Sequence, residues 1–358
     1  MSDSNLAART LPQTLDINTS NVTQKDVTQD ITQNITQNVT HAPSPSSSDG
    51  IDRRGFLHCM AWAGTGIIWS FAGGIPVSSA FGALAPKPKQ SAEDFSFIQI
   101  SDSHIGFSKA ANPDVTGTLQ KAVDKINAAT RVPDFLIHTG DLTHTSKASE
   151  FDTMDQVLSA TKREIFYVPG EHDTSVDDGK LYLERYGKGS AGNGWYSFNH
   201  KGIHFVGLVN VVQLEGMGRL GSEQLAWLKQ DVDGLGSSTP VVLFAHIPLW
   251  TVYPEWGWST SDSEQALGLL KRFGSLTVLN GHIHQVMQKV EGNVSFHTAM
   301  STAFPQPAPG AAPAPGPVKV PAEKLQGVLG VTEVHFIPQK HQLAVVDRSL
   351  ADAAATAA

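Results

Sequence analysis

The chain has 358 residues, 40 % of them hydrophobic, with a formal net charge of −8 and one cysteine, Cys59. That acidic balance leaves no basic surface for a nucleic-acid backbone or an anionic lipid, so no stable nucleic-acid binding is expected. A lone cysteine excludes a disulfide framework and a thiolate metal site.

Residues 1–50 are rich in Asn, Thr, Gln and Ser, and a short unit repeats as NVTQ, DVTQ, DITQ, NITQ and NVT between Asn21 and Thr40. Such a composition buries too little apolar surface to fold, so a disordered extension is expected. Residues 51–80 read as a twin-arginine export signal. Arg53 and Arg54 precede Phe56-Leu57 and a Gly-rich, moderately apolar run up to Ile75, and Ser78-Ser79-Ala80 offers a small-residue cleavage site. The run is too short and too interrupted by Gly for a permanent membrane anchor, and Pro76 breaks it. The expected partner is the twin-arginine export machinery, and the mature chain is expected to start near Phe81 in the periplasm or outside the cell. Fifty residues ahead of the arginines is long for such a signal, which points to a start codon further downstream.

A linker over 81–94, with Pro86-Lys87-Pro88-Lys89, leads into a domain expected over 95–350 and a frayed tail over 351–358. Short apolar runs at 95–100, 134–137, 165–168, 241–244 and 276–279 read as buried strands. Helices are expected near 116–129, 150–161, 179–186, 222–232 and 263–273. Asn199-His200-Lys201-Gly202 marks a hairpin between strands at 195–198 and 203–209. Further strands are expected at 286–290, 294–297, 331–336 and 343–346. The Pro/Ala/Gly stretch 305–321 holds neither helix nor sheet and reads as a surface loop.

Five of the apolar runs end in residues that ligate metals. They lead into Asp102-Ser103-His104, Gly140-Asp141, Gly170-Glu171-His172-Asp173, Ala245-His246 and Gly281-His282-Ile283-His284. In an open α/β sheet ligands bind at the carboxyl ends of the strands, so all five segments are expected to face one crevice. Asp102 and His104, two apart on an extended segment, can grip one ion together. His and carboxylate donors suit Mn, Fe or Zn.

The order and spacing of these blocks resemble the calcineurin-like metallophosphoesterase family, whose pattern runs D-x-H, G-D, G-N-H-D, H and G-H-x-H. The resemblance covers roughly Phe95 to Thr298 and departs at one place, where Glu171 stands for the family's Asn. It implies a four-layer α-β-β-α sandwich and two divalent or Fe-type metal ions. It implies Asp141 as the bridge between them, with Asp102, His104 and His284 on the first ion and Glu171, His246 and His282 on the second. It also implies that His172 protonates the leaving group and that Asp173 orients it. The reaction is expected to be hydrolysis of a small phosphoester by metal-activated water, with no protein nucleophile.

Glu171 adds a negative charge to a site that otherwise carries about +1, so a mono-anionic diester is expected to lose less attraction than a dianionic monoester. The expected substrate is a phosphodiester, cyclic-nucleotide-like ones included, or a phosphomonoester. Two alternatives stay open: a periplasmic nucleotidase or phosphomonoesterase, and a metal-binding or sensing protein with little hydrolytic activity. Trp250 and Tyr253, on the aromatic loop after His246, are expected to wall the substrate pocket. His144 is expected at its rim, whereas His138 reads as a core histidine and His297 as a strand residue with a backbone partner.

Overall fold

The structure, a computed structural model, describes residues 67–72, 75–80, 94–211, 216–337 and 342–352. The expected extension over 1–50, the paired arginines, and most of the linker and tail lie outside the described residues. Two short strands, β1 (Ile67–Ala72) and β2 (Ile75–Ala80), form an antiparallel pair. Among the described residues no helix is long and apolar enough to cross a membrane.

From residue 94 onward two mixed sheets carry the fold. One orders its strands β13 (Gln342–Ser349), β12 (Gly330–Ile337), β3 (Phe95–Ile100), β4 (Phe135–His138) and β5 (Ile165–Tyr167). The other orders β10 (Met287–Glu291), β11 (Val294–Thr298), β9 (Leu276–Asn280), β8 (Val241–Phe244), β7 (Ile203–Gly207) and β6 (Tyr196–His200). The central pairs β3–β4, β4–β5, β7–β8 and β8–β9 are parallel. Their carboxyl ends therefore point the same way within each sheet.

Burial on both faces explains why these strands show no polar alternation. On β3, Phe95 and Phe97 join the layer between the sheets, while Ile98 and Ile100 join the layer under the helices. On β8, Val242 and Phe244 turn inward and Val241 and Leu243 outward. Phe97 stacks on Phe135 at 5.2 Å within its own sheet and meets Phe205 of the other edge-on at 5.5 Å. Such aromatic pairs add about 0.5–1.5 kcal/mol each beyond the area they bury.

Helices α1 (Val115–Asn127) and α2 (Ala148–Ser159) cover the first sheet. In α1 the apolar residues Val115, Leu119, Ala122, Val123 and Ile126 recur on one face, and Asp114 caps the first turn by accepting from the Gly117 amide at 2.8 Å. Leu119→Ala would empty a fully buried position and cost about 2–5 kcal/mol. A one-turn α3 (Glu171–Thr174) and α4 (Lys180–Tyr186) follow β5. The other sheet is covered by α5 (Ser222–Asp233) and α6 (Ser263–Leu270), which pack Leu228, Val232, Ala266 and Leu270 onto it. Helix, sheet, sheet, helix is the expected α/β sandwich.

Besides the β1–β2 pair, which falls in the stretch read as an export signal, two helices differ from the sequence reading. Glu171–Thr174 is helical instead of a bare strand end, and α7 (Ala322–Val328) follows the Pro-rich loop. Ala351 and Asp352 extend the order past the expected boundary, since their amides donate to the Gln326 and Ser349 carbonyls.

Candidate metal centre

Asp102, His104, Asp141, Glu171, His246, His282 and His284 converge where the strands of both sheets end. His284 Nε2 lies 3.3 Å from Asp102 Oδ1 and 3.2 Å from His104 Nε2. Asp141 Oδ2 stands 3.4 Å from His104 Nε2 and 3.4 Å from His246 Nε2, between two sets of donors. Glu171 turns its carboxylate into the same cleft, with Oε2 2.9 Å from His246 Nε2 and Oε1 3.0 Å from His282 Nδ1.

The backbone pays for this convergence. Asp102, His104, Asp141, His282 and His284 all have φ between 42° and 71°, the left-handed region that side-chain-bearing residues rarely adopt. Gly170 meets Asp141 so closely that a Cβ there would overlap the Asp141 side chain and amide. Asp102 and His104 thus do not lie on the extended segment expected; left-handed turns just past the strand ends bring both side chains to the cleft.

Hydrogen bonds fix which imidazole nitrogen faces the cleft. His246 Nδ1 donates to the Thr139 carbonyl and His284 Nδ1 to the Phe304 carbonyl, both at 2.6 Å. Each neutral ring therefore presents an unprotonated Nε2 toward carboxylate oxygens, lone pair against lone pair. Only a proton or a cation relieves that contact. Glu171 Oε2, buried and without a hydrogen bond, has the same need. Burial alone would lower the His246 pKa, but the Asp141 and Glu171 carboxylates raise it well above the ordinary value. His104 is lowered well below by burial and by its neighbouring imidazoles, which keeps it neutral and ready to ligate. Three carboxylates and four imidazoles, two of them held by backbone carbonyls on their far nitrogens, fit divalent cations.

His172 sits beside this cluster. Its amide donates to Asp141 Oδ1 at 3.0 Å, and its Nδ1 donates to the His144 carbonyl at 2.7 Å. Among the described residues Asp173 makes no hydrogen bond to that ring. Its carboxylate accepts from the amides of Leu142, Thr143 and Gly170 and from the Thr143 hydroxyl, at 2.8–3.0 Å. The expected orienting pair is thus replaced by a backbone carbonyl, and Asp173 instead ties the Asp141 loop to the His172 loop. Burial and the Asp141 charge raise the Asp173 pKa against those donors.

His144, expected at the pocket rim, stacks on His172 with ring centres 4.8 Å apart. Trp250 does not reach it. That ring is buried against Phe296 at 5.1 Å in the core of the second sheet, so it walls no pocket. Tyr253 packs edge-on against Trp256 and lies beside Gly310 of the Pro-rich loop. His138 is the core histidine expected, 2.9 Å from Ser103 Oγ, with its pKa pushed down to about 3 by burial. His297 bonds Asp347 at 3.1 Å across the sheets, a side-chain partner instead of the expected backbone one. Sequence reading missed Phe304, whose ring lies 4.8 Å from His104 and 4.7 Å from His284.

Residues 95–286, more than half of the chain, match the model of the calcineurin-like phosphoesterases. A probable glycerophosphodiester phosphodiesterase of Arcobacter nitrofigilis is 24 % identical over 223 residues, which span 57 % of this chain and 77 % of that one. A probable cyclic nucleotide phosphodiesterase of Vesicomyosocius okutanii subsp. Calyptogena okutanii is 24 % identical over 218 residues, 59 % of this chain and 88 % of that one. In fold, a purple acid phosphatase from yellow lupin (Lupinus luteus) seeds superposes with a TM-score of 0.53 at 14 % identity, covering 75 % of this chain and 53 % of its own. The chain belongs to the calcineurin-like phosphoesterase family, metal-dependent phosphoric ester hydrolases with a dinuclear metal centre.

Proposed function

We propose that the chain is an exported phosphodiesterase in which Glu171 biases the site toward mono-anionic diesters. The observation that carries this reading is the Glu171 carboxylate, within 3.0 Å of both His246 Nε2 and His282 Nδ1. A third carboxylate at the cleft lowers its positive charge by about one unit and weakens attraction for a dianion more than for a monoanion. The names of the two relatives, each a diesterase, support the same substrate class.

In this reading Asp102, His104, Asp141 and His284 hold one cation, and Asp141, Glu171, His246 and His282 the other. Such a pair, when bound, supplies Lewis-acid polarisation of a phosphoryl oxygen and lowers the pKa of an attacking water. His172 is the proton donor to the leaving oxygen. Its Nδ1–H is committed to the His144 carbonyl, so Nε2 carries the mobile proton. Burial opposes protonation, but the Asp141 and Glu171 charges and that carbonyl raise the pKa, as an acid working near neutral pH requires.

Glu171→Asn tests the reading. At saturating metal the ratio of monoester to diester efficiency should rise by about 1–3 kcal/mol, one charge acting at close range through a partly screened medium. A ratio that holds level, or moves toward diesters, contradicts it. Export rests on Arg53-Arg54 and the apolar run behind them. Replacing both arginines with lysine should leave precursor in the cytoplasm, and undisturbed processing would refute the signal.

A further inference from the structure

The imidazoles of the cleft are held by two kinds of partner. His246, His284 and His172 each donate Nδ1–H to a backbone carbonyl, at 2.6, 2.6 and 2.7 Å. A carbonyl accepts and never donates, so each of these tautomers is fixed by the chain path alone. His104 is built otherwise. Its Nε2 faces His284 Nε2 at 3.2 Å and Asp141 Oδ2 at 3.4 Å, while its Nδ1 meets the His144 side chain, Nδ1 to Nδ1, at 3.4 Å.

We propose that His144 is a positioning residue for His104, accepting the His104 Nδ1–H so that His104 Nε2 is turned, unprotonated, to the cation. This rests on the reading of His104 as a metal ligand and goes beyond the substrate contact expected of His144. The ring of His144 is itself held, flat on His172 at 4.8 Å and 19° and edge-on against Phe107 at 5.2 Å and 89°. With Nδ1 accepting, its own proton sits on Nε2. One residue thus serves two imidazoles, its side chain holding His104 and its carbonyl holding His172. Outer partners of this kind fix ring orientation and tautomer at metal-ligating histidines. Here the partner is a neutral imidazole, which adds no charge to a cleft that already carries three carboxylates.

Side-chain substitution separates the two duties, because every variant keeps the carbonyl. Zn²⁺ affinity is measured by chelator competition on the full chain, with ¹⁵N shifts of the His104 ring recorded in the metal-free protein. His144→Ala should weaken cation binding by about 10–100-fold, the usual effect of losing an outer partner. It should also release His104 to a mixture of tautomers, and its turnover defect should narrow as Zn²⁺ rises to saturation. His144→Asn, whose Oδ1 can take the place of Nδ1 as acceptor, should restore both affinity and tautomer. His144→Phe keeps a ring on His172 but offers no acceptor, and should restore neither. Rescue by Phe and not by Asn would overturn the proposal in favour of ring packing. An Ala variant with wild-type affinity and an unchanged His104 tautomer would overturn it outright. A wild-type chain that binds no cation would instead strike the metal reading on which it rests.

Discussion

The two halves of the cleft are built to different standards. Around Asp102, His104 and His284 the side chains are 0 %, 3 % and 1 % exposed, whereas Glu171 and His282 are 25 % and 14 % exposed. The closed half has its tautomers set by fixed partners, Phe304 O for His284 and the His144 ring for His104. The open half pairs Glu171 with His282 directly, and among the described residues His282 Nδ1 faces Glu171 and His246. Electrostatic contacts gain strength where water is excluded, so the closed half should hold its cation more tightly. Asp141 and His246, both buried, join the two. Solvent reaches the side of Glu171 and His282, so substitutions should act unequally on the two sides.

Asp141→Asn removes the one carboxylate that both halves share, and should empty both positions. Its turnover loss should exceed the about 10–100-fold typical of an outer partner. Elemental analysis retaining both metals would break the comparison, because Asp141 would then not link the halves. His172→Ala should lower turnover by about 10²–10⁴ while leaving metal content intact, as expected for a general acid outside the ligand set. The loss should be larger for poor leaving groups than for nitrophenyl esters, and equal losses would count against proton donation. Smaller still is the change in monoester-to-diester preference on Glu171→Asn, which should also loosen metal in the open half only.

The least effect is expected far from the cleft, at Asp134, where Lys201 Nζ and His200 Nε2 lie 2.6 and 2.8 Å from Oδ2. Burial pushes the Asp134 pKa up, but those hydrogen bonds and charges pull it below its ordinary value. The stabilisation is therefore present above the unfolded carboxylate pKa and lost as pH falls through the lower folded value. Asp134→Asn should cost about 0.2–1 kcal/mol near pH 7, as exposed ion pairs do, and almost nothing in acid. Urea titrations at both pH values check this, and metal affinity should not move.

The elements and the aim of the cleft side chains were not equally legible in the sequence. Strand and helix positions were, because strands buried on both faces leave uninterrupted apolar runs and α1 repeats its apolar residues at helical spacing. Helix α7 was hidden by the Pro-rich stretch before it, although Pro321-Ala322-Glu323-Lys324 is a helix start. The ligand types stood out because each follows an apolar run. Their aim did not: left-handed φ at five of these candidates leaves no mark on residue identity. Nor do the carbonyls of Thr139, Phe304 and His144, since any residue supplies one. The orienting role that the resemblance implied for Asp173 is not what its hydrogen bonds show: its oxygens accept from three amides and a hydroxyl, and residue identity does not record that. Trp250 was misread because Leu249 and Trp250 are both buried, and aromatic content alone does not tell a core face from a cleft.

Two cation positions of unequal affinity should share Asp141. Titration of the metal-free full-length chain with Zn²⁺ under chelator competition tests it most directly, with His282→Ala run alongside. Two equivalents should bind with separate affinities, and His282→Ala should lose the weaker one while keeping the tighter. A single equivalent in the wild type, two of equal affinity, or loss of the tighter position in His282→Ala would contradict the account.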